Sequence, residues 1–392
     1  MSNFKLESIL KKGTLHLALV AIFIISASGF QIMADRPPAN DYLVIVVCES
    51  ADKIAIVRFS PAGARVEREI VTGAMPSDID APHGVIVSPD NESYYVSLGH
   101  GRPFGWAWKY SVKDDSVKGR ASLGMFPATM DITPDGNFLF VVNFNLHGDM
   151  VPSSVSVVAT DIMMEVARIP TCTMPHGSRL NPQGTRQYSA CMMDDMLVEI
   201  DTSRFSVSRH FVVTKGKEKG MNGAPKIDAP NAHAGHSMKM PHPECSPTWA
   251  QPSADGSRVF VACNKSDEIV EIDVRDWKVL RRIQARPGVY NLAVTKNDRL
   301  IATNKRDQSV SIFDLKSGEE LAHIPTKRKV VHGAVVSPDD RYAFISVEGV
   351  GSEPGTVEVI DLATLKTIAT IDVPEQAAGI AFLRMEPRES IK

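Results

Sequence analysis

The chain has 392 residues, 43% of them hydrophobic and 23% charged, which supplies a large core and excludes a disordered or fibrous protein. Lys+Arg number 43 against 46 Asp+Glu, for a net charge of -3, and aromatics are 7%. That balance excludes both the basic surface that displaces counterions from nucleic acid and the aromatic platform that stacks single strands.

Lys5, Lys11 and Lys12 precede an apolar run, Leu15 to Ile25, and then the small residues of SASG. A basic region, a short apolar region and small residues are the pattern of a secretory signal peptide, predicted here over residues 1–34. Ala27, Ser28 or Ala34 supplies the small residue before a cut. The rival reading is an uncleaved anchor, because Thr14 to Met33 is about 20 residues, just long enough to span a bilayer. Either way residues 35–392 are expected outside the cytoplasm, in the periplasm or an equivalent compartment, touching membrane only through a retained N-terminal segment.

From residue 35 onward one phrase recurs: PHGVIVSPDN, PATMDITPDG, PHGSRLNPQG, SPTWAQPSADG, VYNLAVTKND and VVHGAVVSPDD. Each is followed by a β-rich run (SYYVSLG, FLFVVNF, RQYSACM, RVFVACN, RLIATNK, RYAFISV), then by an alternating strand such as MLVEID or SVSIFDL, then by a polar strand such as KVLRRIQ. Nearly continuous apolarity marks a buried strand, and period-two alternation marks one with a single covered face. SPDN and TPDG are turn tetrads in which Pro presets φ and Asp bonds its own backbone. Four strands per unit at roughly 42 to 48 residues is the signature of a propeller blade. Aligned on the turn, the inner strands start at His83, Ala128, His176, Thr248, Tyr290 and His332. Tyr42 to Val71 reads as three strands lacking an inner one, and Ala377 to Leu383 as an inner strand lacking outer ones. Joined, the two ends make a further blade. The expected fold is all-β: a seven-bladed propeller of four-stranded blades, closed by the C-terminal inner strand on the N-terminal strands, which hides the sheet edges.

One interval, from His176 to Thr248, is about 30 residues longer than the blade period. The excess is residues 214–245, rich in Lys, Gly, Pro, His and Met without strand or helix period, and is read as an inserted loop on one face.

The units VSPDNESYYVSLG, ITPDGNFLFVVNF and VVSPDDRYAFISVEG resemble the repeat of the exported YVTN/YncE-like seven-bladed propeller family, over about Tyr42 to Leu383. Related propellers include the d1-haem proteins, the N-terminal domain of nitrous oxide reductase and the propeller (beta) subunit of hydrazine synthase, which assembles with multihaem subunits. The resemblance specifies fold well and function poorly, because the fold hosts many roles. The His/Met insertion and the histidines at blade starts depart from the plain family pattern.

The sequence holds 11 His and 5 Cys. His83, His176 and His332 share one repeat position, in Pro-His-Gly or Val-His-Gly turns where the chain enters the central channel. His100 and His147 follow the second strands of their blades and open onto the same end. The insertion adds His233, His236, Met238, Met240 and His242. His210 and His323, in outer strands, are expected to be solvated. Imidazole suits Cu, Zn and Fe, and thioethers select Cu(I), so the channel histidines are candidate cofactor or metal ligands and the insertion a candidate metal or partner loop. The plainer reading is that a His before Gly bonds the backbone of a neighbouring blade and orders the channel mouth. Soft Met-rich loops serve protein contacts equally well. Cys172, Cys191, Cys245 and Cys263 are expected on this rim, with one or two disulfides of open pairing. Asp194 and Asp195 read as turn acids. No Cys-x-x-Cys-His occurs, so no covalent haem is expected, and no motif specifies nucleophilic or phosphoryl chemistry.

The expected function is therefore an exported accessory subunit of a haem or metal redox complex, docking a cytochrome or other redox protein through one face, with no nucleic-acid partner. If it belongs to an enzyme, the enzyme is an oxidoreductase with a place in nitrogen metabolism, as the hydrazine synthase resemblance implies. A propeller that itself binds copper or a d1-type haem at the channel mouth, and a non-redox surface interaction protein, are the alternatives.

Overall fold

A computed structural model of the chain describes residues 37–75, 79–99, 104–226 and 242–387. The segment predicted as a signal peptide, His100, His233, His236, Met238 and Met240 lie outside the described residues.

The described strands form seven antiparallel sheets arranged as the blades of a propeller. Blade 1 combines the C-terminal strand Ala377–Pro387 with Asn40–Cys48, Lys53–Ser60 and Gly63–Val71, in that spatial order. Blades 2 to 7 follow in sequence, with inner strands Pro82–Val87, Pro127–Ile132, Pro175–Leu180, Pro247–Pro252, Val289–Val294 and Val331–Val336. The expected ring closure from both termini is thus the observed one. Adjacent blades pack face to face: Leu43, Ile45 and Ile56 of blade 1 meet Tyr94, Val96 and Tyr110 of blade 2 in one buried cluster. Outer strands alternate half-buried and exposed residues, as in Gly63–Val71, because only one face of each is covered.

The channel-mouth histidines sit in bulges rather than in plain turns. In blade 2, Pro82 pairs with Leu98 and Val85 with Val96, so three steps on the inner strand oppose two on its partner. Blades 4 and 7 repeat this at Pro175 to Ser178 and Val331 to Ala334. A bulge leaves one residue unpaired and re-aims its side chain, here toward the axis. The residue before each inner strand has positive φ, including Ala81 (47°), Met174 (52°) and even the β-branched Val330 (65°). The tight approach demands the following glycine: a Cβ on Gly84 would lie 2.1 Å from the Ala128 carbonyl oxygen, and one on Gly177 2.4 Å from that of Thr248.

Hydroxyls carry this contact around the ring. Ser97 donates to the Ala128 carbonyl (2.7 Å), Thr248 to that of Tyr290 (2.8 Å) and Thr303 to that of His332 (3.0 Å). Thr129 donates likewise to the His176 carbonyl and Ser346 to that of Ala378. At the opposite end the Ser/Thr-Pro-Asp turns are stitched by their own side chains, for example Thr133 to Asp135 and Ser337 to Asp339.

Two expectations about blade 4 are corrected. The insertion is not wholly a loop: Lys219–Asn222 adds a fifth strand, pairing Lys219 with Val212 and Asn222 with Arg209. This segment has no hydrophobic alternation because it lies on an exposed outer edge, so backbone pairing alone holds it. His210 is accordingly not solvated. The fifth strand covers it to 6% exposure, and its Nδ1 lies 2.8 Å from the Gly223 carbonyl oxygen. His323 is partly exposed and pairs with Asp307 at 2.7 Å.

The disulfide pairing is Cys172–Cys191 and Cys245–Cys263. Each ties the segment leading into an inner strand to the end of the adjacent second strand, at equivalent positions of blades 4 and 5. Cys48 is free and buried, and burial pushes its thiol pKa up. Asp195 is a turn acid, as expected, and it also clamps the end of the insertion. Its carboxylate accepts the backbone N–H groups of Glu244 (2.6 Å), Cys245 (3.1 Å) and Ser246 (2.7 Å) and the Thr214 hydroxyl (3.1 Å). Asp194 accepts the Thr173 N–H at 2.6 Å.

Candidate functional site

The bulges of blades 2, 4 and 7 bring His83, His176 and His332 together. Ring centroids lie 5.4 Å apart for His83 and His332 and 6.2 Å apart for His83 and His176. All three are buried, at 8%, 1% and 3% exposure. Tyr290 fills the same repeat slot in blade 6 and stands between two of them: its hydroxyl is 3.0 Å from His176 Nε2 and 3.4 Å from His332 Nε2.

The partners set the tautomers. His176 Nδ1 faces the Thr248 carbonyl oxygen at 2.9 Å, so Nδ1–H donates and Nε2 accepts from the Tyr290 hydroxyl. His83 Nδ1 pairs with Glu49 at 2.8 Å, while its Nε2 is buried with no hydrogen-bond partner. A cation completes the group: Lys305 Nζ lies 4.0 Å from the Tyr290 ring centroid and 2.9 Å from Glu348, which in turn is 3.9 Å from His332 Nε2. Burial alone would pull the Lys305 pKa down, but the Tyr290 phenol and the Glu348 carboxylate together raise it.

Burial, reinforced by the neighbouring positive groups, pushes the His176 pKa down to about 3 and that of His332 well below its ordinary value. Both are neutral when folded and titrate near pH 6.5 when unfolded. The unfolded chain therefore binds more protons below pH 6.5, and folding stability drops as pH falls from about 6.5 toward 3. Each such imidazole contributes a slope of about 1.4 kcal/mol per pH unit. Urea midpoints measured from pH 7 to pH 4 are expected to fall steadily, and His176→Gln, which keeps a donor and an acceptor, is expected to flatten the curve. Parallel curves for the two proteins would contradict the assignment.

Of the other candidates, His147 lies near the cluster, its ring 5.3 Å from Phe126, which is 5.4 Å from His83. His242 is exposed beside the disulfide-tied end of the insertion. Among the described residues no group of three His, Cys, Asp or Glu side chains has a geometry that could hold a metal ion. Tyr290, Lys305, Glu348 and Glu49 were not singled out from the sequence, although a signal was present. Tyr290 occupies the histidine slot, and the other three are each the first residue after a second strand, so one register places them all at the mouth.

Below the cluster the channel narrows to a chamber of about 20 Å³ lined by His83, His332, Trp249, Asn291 and Arg179, among others. It then widens to a vestibule of about 300 Å³.

These observations define a seven-bladed propeller whose upper mouth is sealed by a buried His–Tyr–Lys–Glu group. Residues 178–372 match the family described as the cytochrome D1 haem domain. A chain of hydrazine synthase from Kuenenia stuttgartiensis has a similar structure, with TM-score 0.60 and 18% identity over 80% of this chain and 92% of that one. A protein of unknown function from Desulfotomaculum acetoxidans (TM-score 0.63, 14% identity) and a putative 6-phosphogluconolactonase from Bacteroides fragilis (TM-score 0.64, 14% identity) are also similar, each over 87% of this chain and 98% of theirs. At these identities the likeness shows the fold. No curated protein matches the chain in sequence.

The cytochrome D1 match raises the question of a haem. The narrow chamber of about 20 Å³ holds about one water, so a macrocycle does not fit in that chamber.

Proposed function

We propose that this chain is an exported propeller subunit of a haem or metal redox complex, and that its upper face docks a haem-bearing partner. The observation that carries the reading is the placement of the exposed apolar side chains. Six of the exposed large apolar side chains among the described residues, Met75, Phe104, Trp106, Met125, Leu146 and Val350, lie in connections, or at the start of a strand beside one, at the upper end of blades 7, 1, 2 and 3, on one side of the ring. Met75 is 58% exposed and Phe104 49%. Contiguous exposed apolar surface on a soluble protein marks an interaction site. The family match and the fold shared with a hydrazine synthase chain support a haem-bearing partner over another kind.

A second reading rests on His83 Nε2, buried without a partner beside two further imidazoles. In it the chain itself takes copper or a noncovalent haem at the mouth, with His83 as first ligand and Tyr290 displaced from His176 and His332.

One purification separates the two. The tagged full chain, recovered gently from its native extract, is expected to bring down a protein that stains for haem, and to be colourless and metal-poor once separated from it. Phe104→Asp with Leu146→Asp is expected to abolish that recovery while leaving the melting temperature nearly unchanged, as surface substitutions do. Stoichiometric copper or haem on the isolated chain, lost in His83→Ala, would establish the second reading. Recovery free of any haem protein and metal would sink both.

A further inference from the structure

The end of the channel opposite the histidines holds a second, separate feature. Arg179, in the inner strand of blade 4, lines both the narrow chamber and the 300 Å³ vestibule below it. Most of the residues lining the vestibule are aliphatic, Val85, Leu292, Val294, Val336 and Ile380 among others, with Gln251 as a further polar group, and polar atoms supply about half of the surface exposed there. The guanidinium lies against the Trp249 ring, 4.5 Å from its centroid, and Nη1 donates to the carbonyl oxygens of Ser178 (2.9 Å) and Met130 (3.3 Å).

Those two bonds use only part of a five-donor fork. Among the described residues no acceptor is bonded to Nε or Nη2, and no carboxylate forms an ion pair with Arg179. Asp131 attracts it through space, but the Asp131 carboxylate is occupied by the backbone N–H groups of Leu180 (2.8 Å) and Ile132 (2.9 Å). A half-buried guanidinium whose Nε and Nη2 donors are unused by the protein is placed to take an anion. Its planar fork matches a carboxylate in two parallel hydrogen bonds. A concavity that combines aliphatic side chains with a few well-placed polar groups is the form that small-molecule sites take.

The geometry points to a binding site for a small organic monocarboxylate in the vestibule, its carboxylate on Arg179 and its apolar body against the aliphatic wall. This site is at the other end of the channel from the proposed docking face, so either can fail without the other.

Benzoate is the test probe, with benzamide as an uncharged partner of the same shape, titrated calorimetrically into the full chain. Benzoate is expected to bind saturably with one-to-one stoichiometry, and benzamide at least about tenfold more weakly. A hydrogen bond to a charged group is worth about 1.5–3 kcal/mol, which corresponds to a factor of about ten or more. Arg179→Met is expected to weaken benzoate by a similar factor and leave benzamide unchanged. Should that variant fail to fold, Val336→Trp, which fills the wall and leaves the guanidinium intact, is expected to abolish benzoate binding. No saturable benzoate binding, equal affinity for benzamide, or full affinity in a folded variant of either kind would overturn the site.

Discussion

Ending the chain after Gln376 is expected to abolish folding. The lost strand, Ala377–Pro387, is the inner strand of blade 1 and pairs with Asn40–Cys48 from Asn40↔Pro387 to Cys48↔Ala377. It buries Ala377, Ala378, Ile380, Ala381 and Leu383, at 7% exposure or less. It also accepts the Ser346 hydroxyl from blade 7 and carries Glu386, whose carboxylate lies 2.6 Å from Arg58. Burying a large apolar side chain is worth about 1.5–3 kcal/mol, and the deletion also opens the channel and leaves Asn40–Cys48 as an edge inside the ring. Because native proteins are stable by only about 5–15 kcal/mol, the sum is enough to unfold the domain. Circular dichroism and a thermal melt check this. A truncated chain that melts cooperatively close to the full-length temperature would mean that the ends do not hold the ring together.

Loss of a disulfide is the second large effect. Cys172–Cys191 and Cys245–Cys263 close loops with sequence separations of 19 and 18, for which the restricted unfolded chain implies a stabilisation of about 3 kcal/mol each. Replacing Cys172 and Cys191 by Ala together is expected to lower the urea midpoint by that amount at unchanged slope. The Cys245/Cys263 pair is expected to cost as much and to loosen the end of the insertion, which then relies on the Asp195 clamp, the Lys217–Glu244 ion pair and the backbone bonds to Asn264 and Lys265. Alkylation of the unfolded, unreduced protein should label a single cysteine, Cys48. Labelling of three or more would refute the pairing, and a midpoint unmoved in both double variants would refute its energetic role.

The architecture was legible because a propeller writes itself into the chain repeatedly. Six units show a Ser/Thr-Pro-Asp turn or a variant of it and an apolar second strand, five close the third strand on an acid, and each is a local device. In Asp201, Asp314 and Asp361 that acid accepts the following backbone N–H groups, which stops the strand where the pattern says it stops. The slot shared by His83, His176 and His332 was legible for the same reason. Lys219–Asn222 was not, because an outermost strand buries little and needs no periodicity.

The candidate site divides the same way. Alignment of the repeats was enough to place three imidazoles at one mouth, since the bulge that aims them is a property of each blade. That Tyr290 would stand between two of them, that Lys305 and Glu348 would enclose it, and that His83 Nε2 would be left unpartnered depended on contacts between blades far apart in the chain. Arg179 is the clearest case. Along the chain it is one more arginine in a strand, and only closure of the ring lays it on Trp249 and leaves its remaining donors beside the vestibule. Repeat periodicity is a short-range property carried by every unit, whereas the chemistry of the axis comes from residues of different units, 42 to 114 positions apart in the Tyr290 contacts, that only the closed ring brings together.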